Sequence, residues 1–233
     1  SSKNNARIMA NYKLILPSVA KFEGGLSSDP KDSCSKLRSD IIDPKNGLGY
    51  HTNKGVCYST WVSASKKLGF DSSGKAFVNM TQSQWESIIK ELYWNPLNLD
   101  KVNSQAIAEI LFQSNWGSGM SGAMTLVRFM QGKLNLAQTG KMDTNTITKL
   151  NDYTKTKTAE TSLFKAIWQR RLEYLQSLKS FSTYGKGWTN RMNDLLNRGL
   201  SYIDANKSKL GIGALLLVAG GIYFAYTKNL IRL

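Results

Sequence analysis

Apolar residues recur at every third or fourth position along nearly the whole of this 233-residue chain, and the pattern fails over one stretch, residues 26–58. That repeat belongs to helices with one face turned to a core, so the chain is constrained to a mainly α fold with one irregular elaboration. Ile8, Tyr12, Ile15, Val19 and Phe22 make the first stripe. Pro17 lies inside it and either kinks the helix or marks where it restarts. The stripe ends at Glu23-Gly24-Gly25, and glycine readily takes the left-handed conformation that closes a helix. Glu23 is thereby expected in the last turn, where the helix dipole disfavours a negative charge. That effect and partial burial would both raise its pKa, as a general acid requires.

Residues 26–58 are rich in Ser, Asp, Lys and Gly, with "DPK" twice and "NGLGY" once. These turn signals predict a long loop or a small hairpin elaboration. Helices then resume. "TWVSASKKLG" ends in a capping glycine, and Thr81 and Gln84 have capping-box spacing. "SQAIAEILFQSNWGSG" buries Ile107, Ile110, Leu111 and Asn115 and then stops at glycines. "GAMTLVRFMQGKL" and "DTNTITKLNDY" give two shorter helices. The two last long helices carry the stripes Leu163, Ile167, Trp168, Leu172, Leu175, Leu178 and Trp188, Met192, Leu195, Leu196, Ile203; both read as core.

Composition narrows the function classes. A 41% apolar, 10% aromatic chain buries a real core. The formal net charge of +15 attracts a polyanion such as nucleic acid, anionic lipid or an acidic wall polymer, yet no nucleic-acid recognition motif accompanies it. Cys34 and Cys57 bracket one loop; they form a single disulfide if the domain works outside the cytosol, or remain two buried thiols. They are too few for a metal finger, and the sole histidine, His51, excludes a histidine-rich metal site and reads as a solvated loop side chain. No metal and no cofactor are expected. "NYKLILPSVAKF" is interrupted by Lys13, Pro17 and Lys21 and does not read as a secretory signal. Residues 210–227, "LGIGALLLVAGGIYFAYT", carry no charge and are flanked by Lys207, Lys209, Lys228 and Arg232, so a C-terminal transmembrane helix is expected there.

Glycoside hydrolysis needs two carboxyl groups across the scissile bond, one protonated and one ionised; Glu23 and Asp32 lie on opposite sides of the glycine turn. "FEGGLSSDPKD" followed by "TNKGV" resembles the opening of the lysozymes of glycoside hydrolase family 108. "ELYWNPLNLDKV", "AEILFQSNWGSG", "FMQGKLNLAQTGKMDTNTITKLN" and "STYGKGWTNRMNDL" resemble later segments of that family in the same order. The resemblance implies a lysozyme-like helical domain over residues 1–120 with a loop or short β elaboration. A peptidoglycan-binding-type helical segment, residues 121–206, packs on it. It implies an N-acetylmuramidase in which Glu23 protonates the glycosidic oxygen. Asp32, or Asp29, stabilises the oxocarbenium-like transition state or orients water, and Thr52 holds that water. Tyr93, Trp94 and Trp116 either line a sugar cleft or pack in the core, and the Asn115 amide is the better substrate contact.

The chain departs from the family by inserting "SCSKLRSDIIDPKNGLGYH" before the Thr-x-x-Gly, with Cys34 and Cys57 at the ends of that insertion, where a disulfide would pin it. Asp143 stands where the binding-type segment has a glycine. Combined with the apolar tail, these readings predict a membrane-anchored enzyme of a phage virion membrane or bacterial envelope. Its partners would be peptidoglycan strands, the lipid bilayer and virion proteins, with no specific nucleic acid. The alternative is a non-catalytic peptidoglycan-binding component that keeps the lysozyme fold.

Overall fold

A computed structural model describes residues 9–207. The chain divides into two compact units: residues 15–92, and the described residues of 1–14 together with those of 93–233. In the first, α1 (Leu16–Phe22) starts with Pro17 in its first turn, after a separate 3₁₀ turn at Tyr12–Leu14. The proline therefore restarts the helix, since its ring fixes φ for a first turn and its missing N–H costs nothing there. Strands β1 (Thr52–Asn53) and β2 (Val56–Cys57) form an antiparallel hairpin. Its two turn residues, Lys54 and Gly55, both have positive φ, 48° and 78°, the twist that a two-residue hairpin loop demands. Helices α2 (Tyr58–Leu68), α3 (Gly74–Val78) and α4 (Gln82–Ile88) follow. Gly69 closes α2 at φ 75°, and Thr81 and Gln84 form a complete capping box on α4, both as expected.

Trp61, Phe77 and Trp85 are fully buried in this unit. Two hydrogen bonds tie this core to the hairpin. Trp85 Nε1 donates to the Lys54 carbonyl (3.0 Å), and Asn53 Nδ2 donates to the Phe77 carbonyl (2.7 Å). The irregular stretch is itself folded back. Isolated antiparallel bridges join Ser27 to Thr52 and Ile42 to Gly49. The Arg38 guanidinium donates to the Ser28 and Gly49 carbonyls, each at 3.0 Å. A Cβ at Gly49 would sit 2.1 Å from the Ser39 carbonyl oxygen, so only glycine fits there.

The second unit is built on α5 (Gln105–Lys133), α6 (Thr144–Tyr153), α7 (Lys157–Ser177) and α8 (Phe181–Lys207). The stop expected at the glycines after Trp116 falls at Gly119, which leaves helical space (φ 69°, ψ 178°) and kinks α5; a second helical run continues from there to Lys133. Arg171 of α7 donates to Ser118 Oγ (2.8 Å) beside this break, and burial lowers its pKa to about 10. Asp143 caps α6 by accepting the Thr146 N–H. Phe164 is fully buried, and a Cβ at Gly199 would lie 2.2 Å from its ring; the glycine lets α8 approach α7.

One feature of this unit has no trace in the periodicity. Glu109 of α5, completely buried, forms an ion pair with Arg198 of α8, whose Nε also donates to Asp194 Oδ2 at 2.7 Å. Burial pushes the Glu109 carboxyl up while the guanidinium pulls it down. Burial alone would lower Arg198, but the Glu109 carboxylate keeps it firmly charged.

The transmembrane helix expected at residues 210–227 lies outside the described residues, and no described helix is long and apolar enough to cross a membrane. α8, long enough at 27 residues, carries Lys186, Arg191, Asp194, Arg198 and Asp204. Among the described residues the fold class is corrected to mainly helical with one two-stranded hairpin. The single-span, membrane-anchored localisation is likewise withdrawn, and nothing among the described residues supports lipid bilayer or virion proteins as partners.

Candidate active site

Glu23 directly follows α1, which ends because residue 23 turns extended (φ −97°, ψ 132°). Its side chain is half-buried. The expected left-handed closure is not used: neither Gly24 nor Gly25 has a positive φ. A Cβ built on either glycine meets nothing within 4 Å, so packing among the described residues does not require glycine there. The backbone beyond Glu23 is thus bare and has open space beside it.

Asp32 owes its orientation to turn chemistry. Its N–H donates to the Asp29 carbonyl (3.1 Å), closing a turn around Pro30. Its Oδ1 accepts the Cys34 N–H at 2.9 Å and caps the 3₁₀ turn Ser33–Lys36, as aspartate does when it mimics a backbone turn. With Oδ1 occupied, Oδ2 faces the Thr52 hydroxyl at 3.4 Å. Thr52 is fixed from the other side by its bridge to Ser27, with backbone distances of 2.9 and 3.2 Å. Asp29 does not compete for that place: it is exposed, and its Oδ1 accepts the Lys31 N–H (2.9 Å). Cys34 and Cys57 are joined as a disulfide with Cα atoms 5.3 Å apart. One end of this cross-link follows Asp32 and the other closes the hairpin that carries Thr52.

His51 departs from its reading as a solvated loop residue. It is fully buried, with Nδ1 2.8 Å from Thr52 Oγ1 and Nε2 2.8 Å from the Asp29 carbonyl. Only its place beside Thr52 could have drawn attention to it.

The other three predicted residues belong to the second unit. Trp94 is fully buried, donates Nε1 to Asp100 Oδ1 (2.6 Å) and packs 6.2 Å from the Phe112 ring. It therefore has no free face for a pyranose ring. Asn115 is 3% exposed, and its Nδ2 donates to the Tyr93 carbonyl (3.1 Å). Half-buried Tyr93 meets Trp116 edge-on at 4.8 Å. No group of three or more metal-ligating side chains exists among the described residues.

The fold is similar to that in the structure of Brucella abortus SagA, with a TM-score of 0.57 and 24% identity, covering 81% of this chain and 93% of that one. Comparison with curated proteins gives no match. The glycosyl hydrolase 108 family model matches residues 16–119, a span that holds all six predicted site residues. Over those residues the chain is similar to the glycosyl hydrolase 108 family.

Proposed function

We propose that the chain is a peptidoglycan hydrolase of the N-acetylmuramidase type. Glu23 is the general acid that protonates the glycosidic oxygen between N-acetylmuramic acid and N-acetylglucosamine. Asp32 and Thr52 receive the attacking water. Its oxygen bonds to the anomeric carbon as the glycosidic C–O bond breaks, its proton passes to Asp32, and the proton of Glu23 leaves with the departing sugar. The observation that carries this reading is the 3.4 Å approach of Asp32 Oδ2 to Thr52 Oγ1, two residues twenty positions apart, inside the segment matched by the family. The net charge of +15 suits an acidic wall polymer. The burial of Trp94 suits a packing role.

Zymography on purified peptidoglycan tests the proposal. Wild type should clear the gel. Glu23→Gln should lose about 10²–10⁴-fold in rate with its melting temperature unchanged. Peptidoglycan binding without clearing by the wild type would replace this reading with that of a non-catalytic wall-binding component.

A further inference from the structure

The two ring nitrogens of the buried His51 face chemically different partners. The Asp29 carbonyl opposite Nε2 can only accept a hydrogen bond, so Nε2 carries the proton of the neutral ring and Nδ1 is left as an acceptor. Thr52 then faces a choice. Its hydroxyl has one proton and two acceptors near it: His51 Nδ1 at 2.8 Å and Asp32 Oδ2 at 3.4 Å. The shorter contact takes it. The Thr52 lone pairs are thereby left beside Asp32, and the two oxygens become neighbouring acceptors 3.4 Å apart. A single water can donate one hydrogen to each, which leaves its own lone pair free to attack. Were the hydroxyl turned toward Asp32 instead, one acceptor would be spent and this arrangement lost.

We propose that His51 is a positioning residue for hydrolysis. Its Nδ1 orients the Thr52 hydroxyl so that Thr52 and Asp32 hold the nucleophilic water between them. This rests on the hydrolase reading above and adds to it a residue outside the carboxylate pair. The backbone around His51 is suited to such a task. Its N–H donates to the Ser27 carbonyl (2.9 Å), and its carbonyl accepts the Tyr58 N–H (2.7 Å). The ring therefore has little freedom to take another partner.

A purely structural role would run through Nε2, which ties the Asp29 turn to β1; the proposed role runs through Nδ1. Two variants separate them. His51→Asn puts an amide near the Nδ1 position and drops the Asp29 contact, whereas His51→Gln reaches the Asp29 carbonyl and abandons Thr52. On soluble peptidoglycan fragments, His51→Gln should lower kcat by about 10-fold or more at unchanged KM. His51→Asn should recover most of the rate even where its melting temperature falls further. Wild-type kcat in His51→Gln, or rates that follow the melting temperatures of both variants, would overturn the proposal.

Nitrogen-15 resonances of the ring give a readout independent of turnover. A protonated Nε2 and a hydrogen-bonded, unprotonated Nδ1 that shifts in Thr52→Val support the assignment. A protonated Nδ1 at the pH of activity defeats it. A wild type that clears no peptidoglycan removes the hydrolase reading, and with it any water for His51 to position. An active wild type with an unaffected His51→Gln removes the positioning role alone.

Discussion

Residues 15–92 and the helical unit of residues 93–207 are held together by different means. The helical unit rests on continuous apolar faces of α5, α7 and α8, with Ile107, Ile110, Phe112, Phe164 and Ile167 fully buried. Among its costly polar features is the buried Glu109–Arg198 pair. The first unit spends much of its chain on irregular backbone, kept in place by a disulfide, the Arg38 guanidinium and carboxylates that accept neighbouring N–H groups. Asp32 and His51 lie on that irregular part, and Thr52 on the hairpin that it leads into. Helical backbone spends its donors and acceptors on itself, whereas a pinned loop can aim a carboxylate and a hydroxyl from positions far apart in sequence.

If the contrast is right, each unit should fail through its own fastening. The largest expected effect is in the helical one. Arg198→Ala leaves Glu109 buried without its cation and should cost about 3–5 kcal/mol, measured by urea unfolding. The double variant Glu109→Leu, Arg198→Met should recover most of that loss. Next comes reduction of Cys34–Cys57, whose partners are 23 positions apart. It should cost about 2–4 kcal/mol. Hydrogen exchange should then show residues 26–58 opening while α5, α7 and α8 stay protected, and uniform loss of protection would contradict the comparison. Thr81→Ala removes the capping box of α4 and should cost about 1 kcal/mol, seen as a lower urea midpoint.

Acid should give the smallest and most local effect. The Ser28 hydroxyl and the Lys45 N–H hold Asp43 below its usual 3.8; the Ser73 N–H and hydroxyl do the same for Asp71, and the Thr146 N–H for Asp143. A carboxyl lowered in the folded state adds stability that is complete above the unfolded pKa and is lost as pH falls through the folded one. Stability should therefore decline only below about pH 3.8 on this account. Two of these three carboxylates lie in residues 15–92, so exchange there should rise first, and Asp43→Asn should flatten that response.

Much of the helical unit was legible because a helix announces its buried face through a local period. The caps of α2 and α4 were legible for the same reason: Gly69, Thr81 and Gln84 act within a few positions of themselves. Reading failed where a neighbour far along the chain decides. Glu109 sits among apolar residues as if misplaced until Arg198, 89 positions on, arrives beside it. The site divides similarly. Glu23, Asp32 and Thr52 could be picked out as residue types in a motif, while the burial of Trp94 and the place of His51 could not.

The order of helices, the existence of an irregular insertion and the supply of acids around the Gly-Gly turn follow from the sequence alone, since periodicity, capping and side-chain chemistry are short-range properties. Which carboxylate faces Thr52, what holds the insertion against the hairpin and how the sole imidazole divides its two nitrogens were decided by the tertiary structure. Hydrogen bonds act over about 3 Å, and no spacing along a chain reveals which distant groups the fold will bring that close.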